Sequence, residues 1–207
     1  MHQQVLRRVG IPMYSRERIT TSRACRVAGG FLLAIFIAGP ATAATFVVDT
    51  TSDVILNACS VAAADCTLRG AIDAANTLSG ADVIEFAIPA SDPGCDADGI
   101  CRIEVVSTLS ISHALSINGY TQAGAQPNSI PAPGANNAQL KIEITSVNFS
   151  DFNNALFSVG SNVDPFSLRG LAISLPASSI VSGGFRHDHR GNWFCVDARG
   201  QSPEFST

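Results

Sequence analysis

From residue 103 onward the chain is punctuated by short apolar runs separated by Gly, Asn, Ser and Pro: Ile103–Val106, Leu109–Ile111, Leu115–Ile117, Leu140–Ile144 and Phe166–Ile173. Ile117, Ile142, Leu168 and Phe194 are almost evenly spaced along the chain, and each opens a similar small segment (INGYT, IEITS, LRGLA, FCVDA). A recurrence at this scale is the mark of a solenoid, whose turns cannot bury their own apolar faces and must stack on one another. The runs are short and alternate with period 2, which excludes helical repeats. No L-x-x-L-x-L-x-x-N pattern is present, which excludes leucine-rich repeats. The sequence therefore reads as mainly β: a parallel β-solenoid of about four turns over residues 103–207, with a β-sandwich as the runner-up.

Upstream, residues 44–102 read as a separate cap region. Thr45–Asp49 (TFVVD) and Val83–Ile88 (VIEFAI) carry strand character. Between them a helix is expected over Leu68–Thr77. Its apolar face is Leu68, Ala71, Ile72 and Ala75, its N-cap is Thr67, and Gly80 suits its exit. A hairpin-like loop is expected at Cys95–Cys101.

Residues 1–43 read as a signal peptide. Arginines dominate the start, and the apolar run Val27–Gly39 precedes Pro40 and Ala41-Thr42-Ala43, so cleavage is expected between Ala43 and Ala44. The run of about 13 residues is shorter than the ~20 needed to span a bilayer, which disfavours an uncleaved anchor. Arg7-Arg8 reads as ordinary basic charge, and Met13 is an alternative start. Of the 13 basic and 17 acidic residues, the leader takes six and one, leaving residues 44–207 at net −9 with Lys141 as their one lysine. That balance disfavours nucleic acid and anionic membranes as partners. A charged fraction of 14% against 46% hydrophobic residues disfavours disorder. The expected location is bacterial and extracytoplasmic: secreted, at the cell surface, or in the periplasm.

Export places the cysteines where disulfides form. Cys25 leaves with the leader. The simplest pairing of the others is Cys59 with Cys66 and Cys95 with Cys101. Metal ligation is the alternative, although the spacings are not C-x₂₋₄-C. Cys195 is left over and reads as a small buried hydrophobe.

Cys66-Thr67-Leu68-Arg69-Gly70-Ala71-Ile72 resembles the motif of the CSLREAI domain family. FVVDTTSD with Cys59 upstream, and ANTLSGADVIEFAIP and INGYTQAGAQPN downstream, resemble the family in the same order, and SLRGLAIS and GNWFCVDARG look like further turns. The resemblance covers roughly residues 45–200. It implies a secreted bacterial protein in which an N-terminal cap leads into a right-handed parallel β-helix. Gly70 departs from the motif, where Glu would complete a capping box. Loss of that bond and the backbone freedom of glycine are expected to weaken the helix by about 1 kcal/mol. The motif reads as a folding element, with Arg69 either a salt-bridge partner or solvated. Members of such a family usually run to more turns, so the reading frame reads as truncated or frame-shifted.

No catalytic constellation is visible. The acids of the repeat region include Glu104, Glu143, Asp151, Asp164, Asp188 and Asp197. Only Asp164 and Asp188 approach a one-turn spacing, and that spacing reads as chance. A lyase would need a basic residue near calcium, and Lys141 stands alone. His187-Asp188-His189-Arg190 reads as an exposed turn between Gly183-Gly184 and Gly191-Asn192. On a strand its two histidines would instead face one way and could hold a metal. Asp96-Ala97-Asp98-Gly99 resembles part of a calcium loop without its closing Glu, so no cofactor is expected and calcium has no support. G-x-S-x-G is absent, and the Asn148-Phe149-Ser150 sequon reads as accidental. The expected function is a binding, adhesive or structural module, its partner unknown and extracellular carbohydrate or a surface ligand the candidates. The alternative is the N-terminal part of a polysaccharide lyase or glycosidase-like enzyme.

Overall fold

The amide and carbonyl groups of the short apolar runs are satisfied by runs far away in sequence. A computed structural model describes residues 42–146, 155–174, 180–182 and 186–201. Residues 1–41 with Cys25, Asp151, the sequon, Gly183-Gly184 and residues 202–207 lie outside the described set. The described residues are mainly β with one α-helix. Its elements are β1 (Thr45–Val48), α1 (Leu68–Ala75), β2 (Asp82–Phe86), β3 (Cys101–Glu104), β4 (Leu109–Ile111), β5 (Leu115–Asn118), β6 (Ile142–Thr145) and β7 (Phe157–Val159). β8 (Phe166–Arg169), β9 (Leu171–Ile173), β10 (Ile180–Ser182), β11 (His187–Arg190) and β12 (Trp193–Phe194) follow.

Three sheets share these strands, ordered β1-β2-β5-β8-β11, β3-β6-β9-β12 and β4-β7-β10. Every ladder between them is parallel. From β2 onward successive strands visit the three sheets in fixed rotation, three rounds complete and a fourth begun by β11 and β12. β1 and β2 belong to the same sheet as β5, β8 and β11, so that sheet crosses residue 103 without a break.

Alternation places one side of each strand inward. Ile84, Ile117 and Leu168 stack as register partners in the first sheet, and Ile103, Ile144 and Ile173 in the second. Leu109 faces Phe157 and Ile111 faces Val159 in the third. All ten side chains are buried. Each buried side chain of this size is worth about 1.5–3 kcal/mol, so these columns are the main source of stability.

The even spacing of the sequence repeat is not the register. Ile117 pairs with Leu168, two repeats further on, whereas the intervening Ile142 lies in another sheet and pairs with Leu171. Later rungs lie much closer together in the chain, as between Phe166 and His187. The intervals vary because connections between strands absorb different lengths while the ladders fix the pairing. Phe166–Ile173, expected as one strand, is two. Gly170 at φ +69° turns the chain from the first sheet into the second, and a Cβ there would stand 2.8 Å from the Tyr120 amide nitrogen.

Helix α1 packs on β1, β2 and β4 through Leu68, Ala71, Ile72 and Ala75, the face expected from the sequence. It stops at Ala75: the Asn76 amide still bonds the Ile72 carbonyl, but the Thr77 and Leu78 amides turn to the carbonyls three residues back, and the Asn76 side chain exchanges bonds with the Ser110 carbonyl and the Ser112 amide. Beyond β5, a 3₁₀ turn at Gly119–Thr121 substitutes side chains for a strand. Thr121 Oγ1 accepts from the Phe86 amide, and the Gln122 amide group bonds both the N–H and the carbonyl of Ile88.

Candidate functional site

The motif residues form a tight joint. Cys66 is bonded to Cys59, with S–S 2.02 Å, and Cys95 to Cys101, with S–S 1.97 Å, the pairings expected from the spacing. Thr67 Oγ1 caps α1 by accepting from the Gly70 amide at 2.9 Å and donates to the Val54 carbonyl at 2.7 Å. Gly70 is a requirement of this joint and not a weakness. A Cβ there would run into the Leu56 carbonyl and lie 2.9 Å from the Asn57 nitrogen. Arg69 is an ion-pair partner, its Nη2 2.9 Å from Asp53 Oδ2, with further bonds to the carbonyls of Ser107 and Thr108. Asp53 also accepts from the Val106 amide at 2.8 Å, so one carboxylate ties the cap loop, the helix and the β3–β4 connection together. Leu68, Ala71 and Ile72 serve the core.

Asp92 plays a similar part. It accepts from both hydroxyls of Thr50 and Thr51 and from the amides of Thr51 and Gly94. Burial works to raise its carboxyl, but the bonds from Thr51, Gly94 and Thr50 outweigh it and hold the group below the usual carboxylate range.

His187-Asp188-His189-Arg190 is a strand, β11, and not a turn. His187 and His189 are register partners of the inward-facing Phe166 and Leu168, and their rings lie 5.7 and 5.5 Å from the Phe166 ring centroid. Desolvation, then the neighbouring His187, lowers the pKa of His189, against an opposing pull from Asp188. Among the described residues no three His, Cys, Asp or Glu side chains gather to hold a metal. Asp188 pairs in register with Ser167 and is bonded by Arg169 and Arg190, while Asp164 is bonded by Arg186. The two aspartates are therefore not stacked.

The Asp96–Gly99 loop is closed by a cation of the chain itself. Arg199 reaches Asp96 and lies 2.9 Å from Asp98, and Lys141 Nζ donates to the Asp98 carbonyl. Glu143 is buried on the outer side of the second sheet. It accepts from Arg102, from Ser174 Oγ at 2.8 Å and from the Ala198 amide. Cys195, expected in the core, is exposed at φ +60°, because the chain bends away after β12. Ala43 is exposed, and Ala44 begins the ordered pairing to β2.

A cavity with converging polar groups lies on the outer face of the first sheet. It has a volume of about 630 Å³ and is lined by Asn118, Tyr120, Pro127, Asn128, Asn136, Arg169, Arg190 and Gly191. Asn118 and Arg169 are register partners, as are Arg169 and Arg190, so three rungs present one polar side chain each. The two guanidinium groups share one carboxylate, with Arg169 Nη2 3.0 Å and Arg190 Nε 2.6 Å from Asp188, and this leaves one positive charge in excess there. Tyr120 is fixed by its hydroxyl, which donates to the Gly191 carbonyl at 2.9 Å, and desolvation raises its pKa.

No protein-family model, curated protein or solved structure matches this chain.

The chemistry of the groove is therefore that of its side chains: two hydrogen-bonding cations on a rigid ladder, amides, and an aromatic wall. Such a surface can hold a carboxylate or sulfate beside sugar hydroxyls. Asn118 and Arg169 do not stand out in the sequence, since each simply follows a core position (Asn118 after Ile117, Arg169 after Leu168), and Arg190 stands out only as part of the polar cluster expected to be a turn. The signal was their common register, which joins Asn118 directly to Arg169 and passes over the apparent repeat between them.

Proposed function

We propose that the chain is an exported module of the CSLREAI type, in which a capped right-handed parallel β-helix presents an outer groove that binds an acidic extracellular glycan. The local excess of positive charge at Arg169 and Arg190 sets this groove apart from a chain that is acidic overall. The fixed rotation of strands through three parallel sheets supports the β-helix reading. The two disulfides support an oxidising compartment, and among the described residues no helix is long and apolar enough to cross a membrane. The groove with Arg169 and Arg190 in register beside Tyr120 is the observation that carries the binding role. Binding is favoured over cleavage because the carboxylate beside the groove is engaged, Asp188 being held by two arginines. Glycosidic hydrolysis needs two carboxyl groups free to act across the sugar.

Affinity electrophoresis tests the reading. Migration through gels containing polygalacturonate is expected to be retarded, with no effect of a neutral glucan. The double substitution Arg169→Ala, Arg190→Ala is expected to weaken retention about tenfold or more, as loss of charge-assisted bonds does. Equal migration in all gels would overturn the glycan reading. Release of reducing ends or unsaturated products would favour an enzyme instead.

A further inference from the structure

One acid points into the core. Asp82, the first residue of β2, is fully buried, and its register partner is the core residue Leu115, itself paired with Phe166. Among the described residues its Oδ1 accepts a single bond, from the Ala44 amide nitrogen at 2.7 Å, and its Oδ2 has no partner. A half-satisfied carboxylate in an apolar column is unfavourable as it stands. The donor it does have belongs to the residue that the Ala41-Thr42-Ala43 pattern makes the first of the exported chain. Ala44 is held from both sides, because its carbonyl accepts from the Val83 amide at 2.8 Å, whereas Thr42 and Ala43 are exposed.

We propose that Asp82 is the receptor for the new amino terminus, so that leader removal completes the fold through an ion pair between the Ala44 ammonium and the buried carboxylate. This rests on the export reading above. Hydrolysis of the Ala43–Ala44 peptide by the host's signal peptidase consumes one water. It leaves a carboxylate on Ala43 and an amine on Ala44, which takes up a proton from solvent. One peptide N–H becomes three ammonium protons at the same place, enough to serve both Oδ1 and Oδ2. The unpartnered oxygen is then accounted for, and the buried negative charge has a counter-charge at hydrogen-bond distance. The device makes the mature chain more stable than any form with residues still attached before Ala44.

The full chain is exported from a bacterial host beside a version with one glycine inserted between Ala43 and Ala44, and intact mass establishes where each product begins. A product starting at Ala44 is expected, melting about 4–8 °C above the glycine-started one, and Asp82→Asn is expected to erase that gap. A second readout needs no core substitution. A limiting amine-acylating reagent near neutral pH normally labels an α-amine before a lysine, because its pKa is lower. Here Lys141, the one lysine of residues 44–207, is expected to be labelled before Ala44. A product starting elsewhere would overturn the processing reading and the proposal with it. A product starting at Ala44 that melts with the glycine-started form, or whose α-amine is labelled first, would overturn the ion pair alone.

Discussion

Arg69 and Gly70 sit side by side in the cap motif and are constrained by different forces. Arg69 is charge-bound to Asp53, both side chains mostly buried at 17% and 7% exposure. Removing the guanidinium leaves Asp53 with one backbone donor in a desolvated site, so Arg69→Ala is expected to destabilise by about 3 kcal/mol in chemical denaturation. Gly70 is held by space. Helix propensity alone predicts that Gly70→Ala would stabilise by about 1 kcal/mol. The Leu56 carbonyl occupies the place of the added methyl group, and the expected result is destabilisation by about 1–3 kcal/mol. The sign of that one measurement separates propensity from packing.

Among the elements, β11 is the one built least like its neighbours. It stacks His187 and His189 on Phe166 and Leu168, where earlier rungs place Leu115 and Ile117. The pKa of His189 is lowered in the folded chain by desolvation and by His187, so the unfolded chain binds the proton more readily. Stability from this group is therefore complete above the unfolded value of about 6.5 and falls away as the pH drops below it. Amide exchange in β11, corrected for intrinsic rate, is expected to be faster at pH 5 than at pH 7, with exchange in β5 unchanged. How far such elements could be read in advance depended on where their information lies. Leu109–Ile111 and the face of α1 were legible because local alternation defines them. The break in Phe166–Ile173 was present as a slip in phase, since Phe166 and Leu168 point inward and so do Leu171 and Ile173. A run of apolar residues hid it. The groove was not legible, because neighbours in a ladder are not neighbours in sequence.

At the level of the whole molecule, the two disulfides join cysteines at sequence separations of 7 and 6, near the start of the fold. Loop-closure entropy for such short loops gives about 2 kcal/mol each, and reduction is expected to lower the denaturation midpoint accordingly while the sheets persist. Non-reducing peptide mapping is expected to recover Cys59–Cys66 and Cys95–Cys101 with Cys195 unlinked. The parallel ladders carry a kinetic consequence as well. No two partner strands are joined by a hairpin. Even the nearest partners in the chain, such as Phe166 and His187, enclose other strands between them, and Leu115 must reach as far as Phe166. A chain delivered from its amino end pairs β2 with β1 at once, but must keep the other edge of β2 open until residue 115 arrives, and that of β5 until residue 166. Only α1 and the two disulfide loops can form from local information. Refolding is then governed by long closures that precede any reward, in the millisecond-to-second range of non-local β topologies. The waiting strand edges make the newly made chain most vulnerable to association before its later rungs have been delivered.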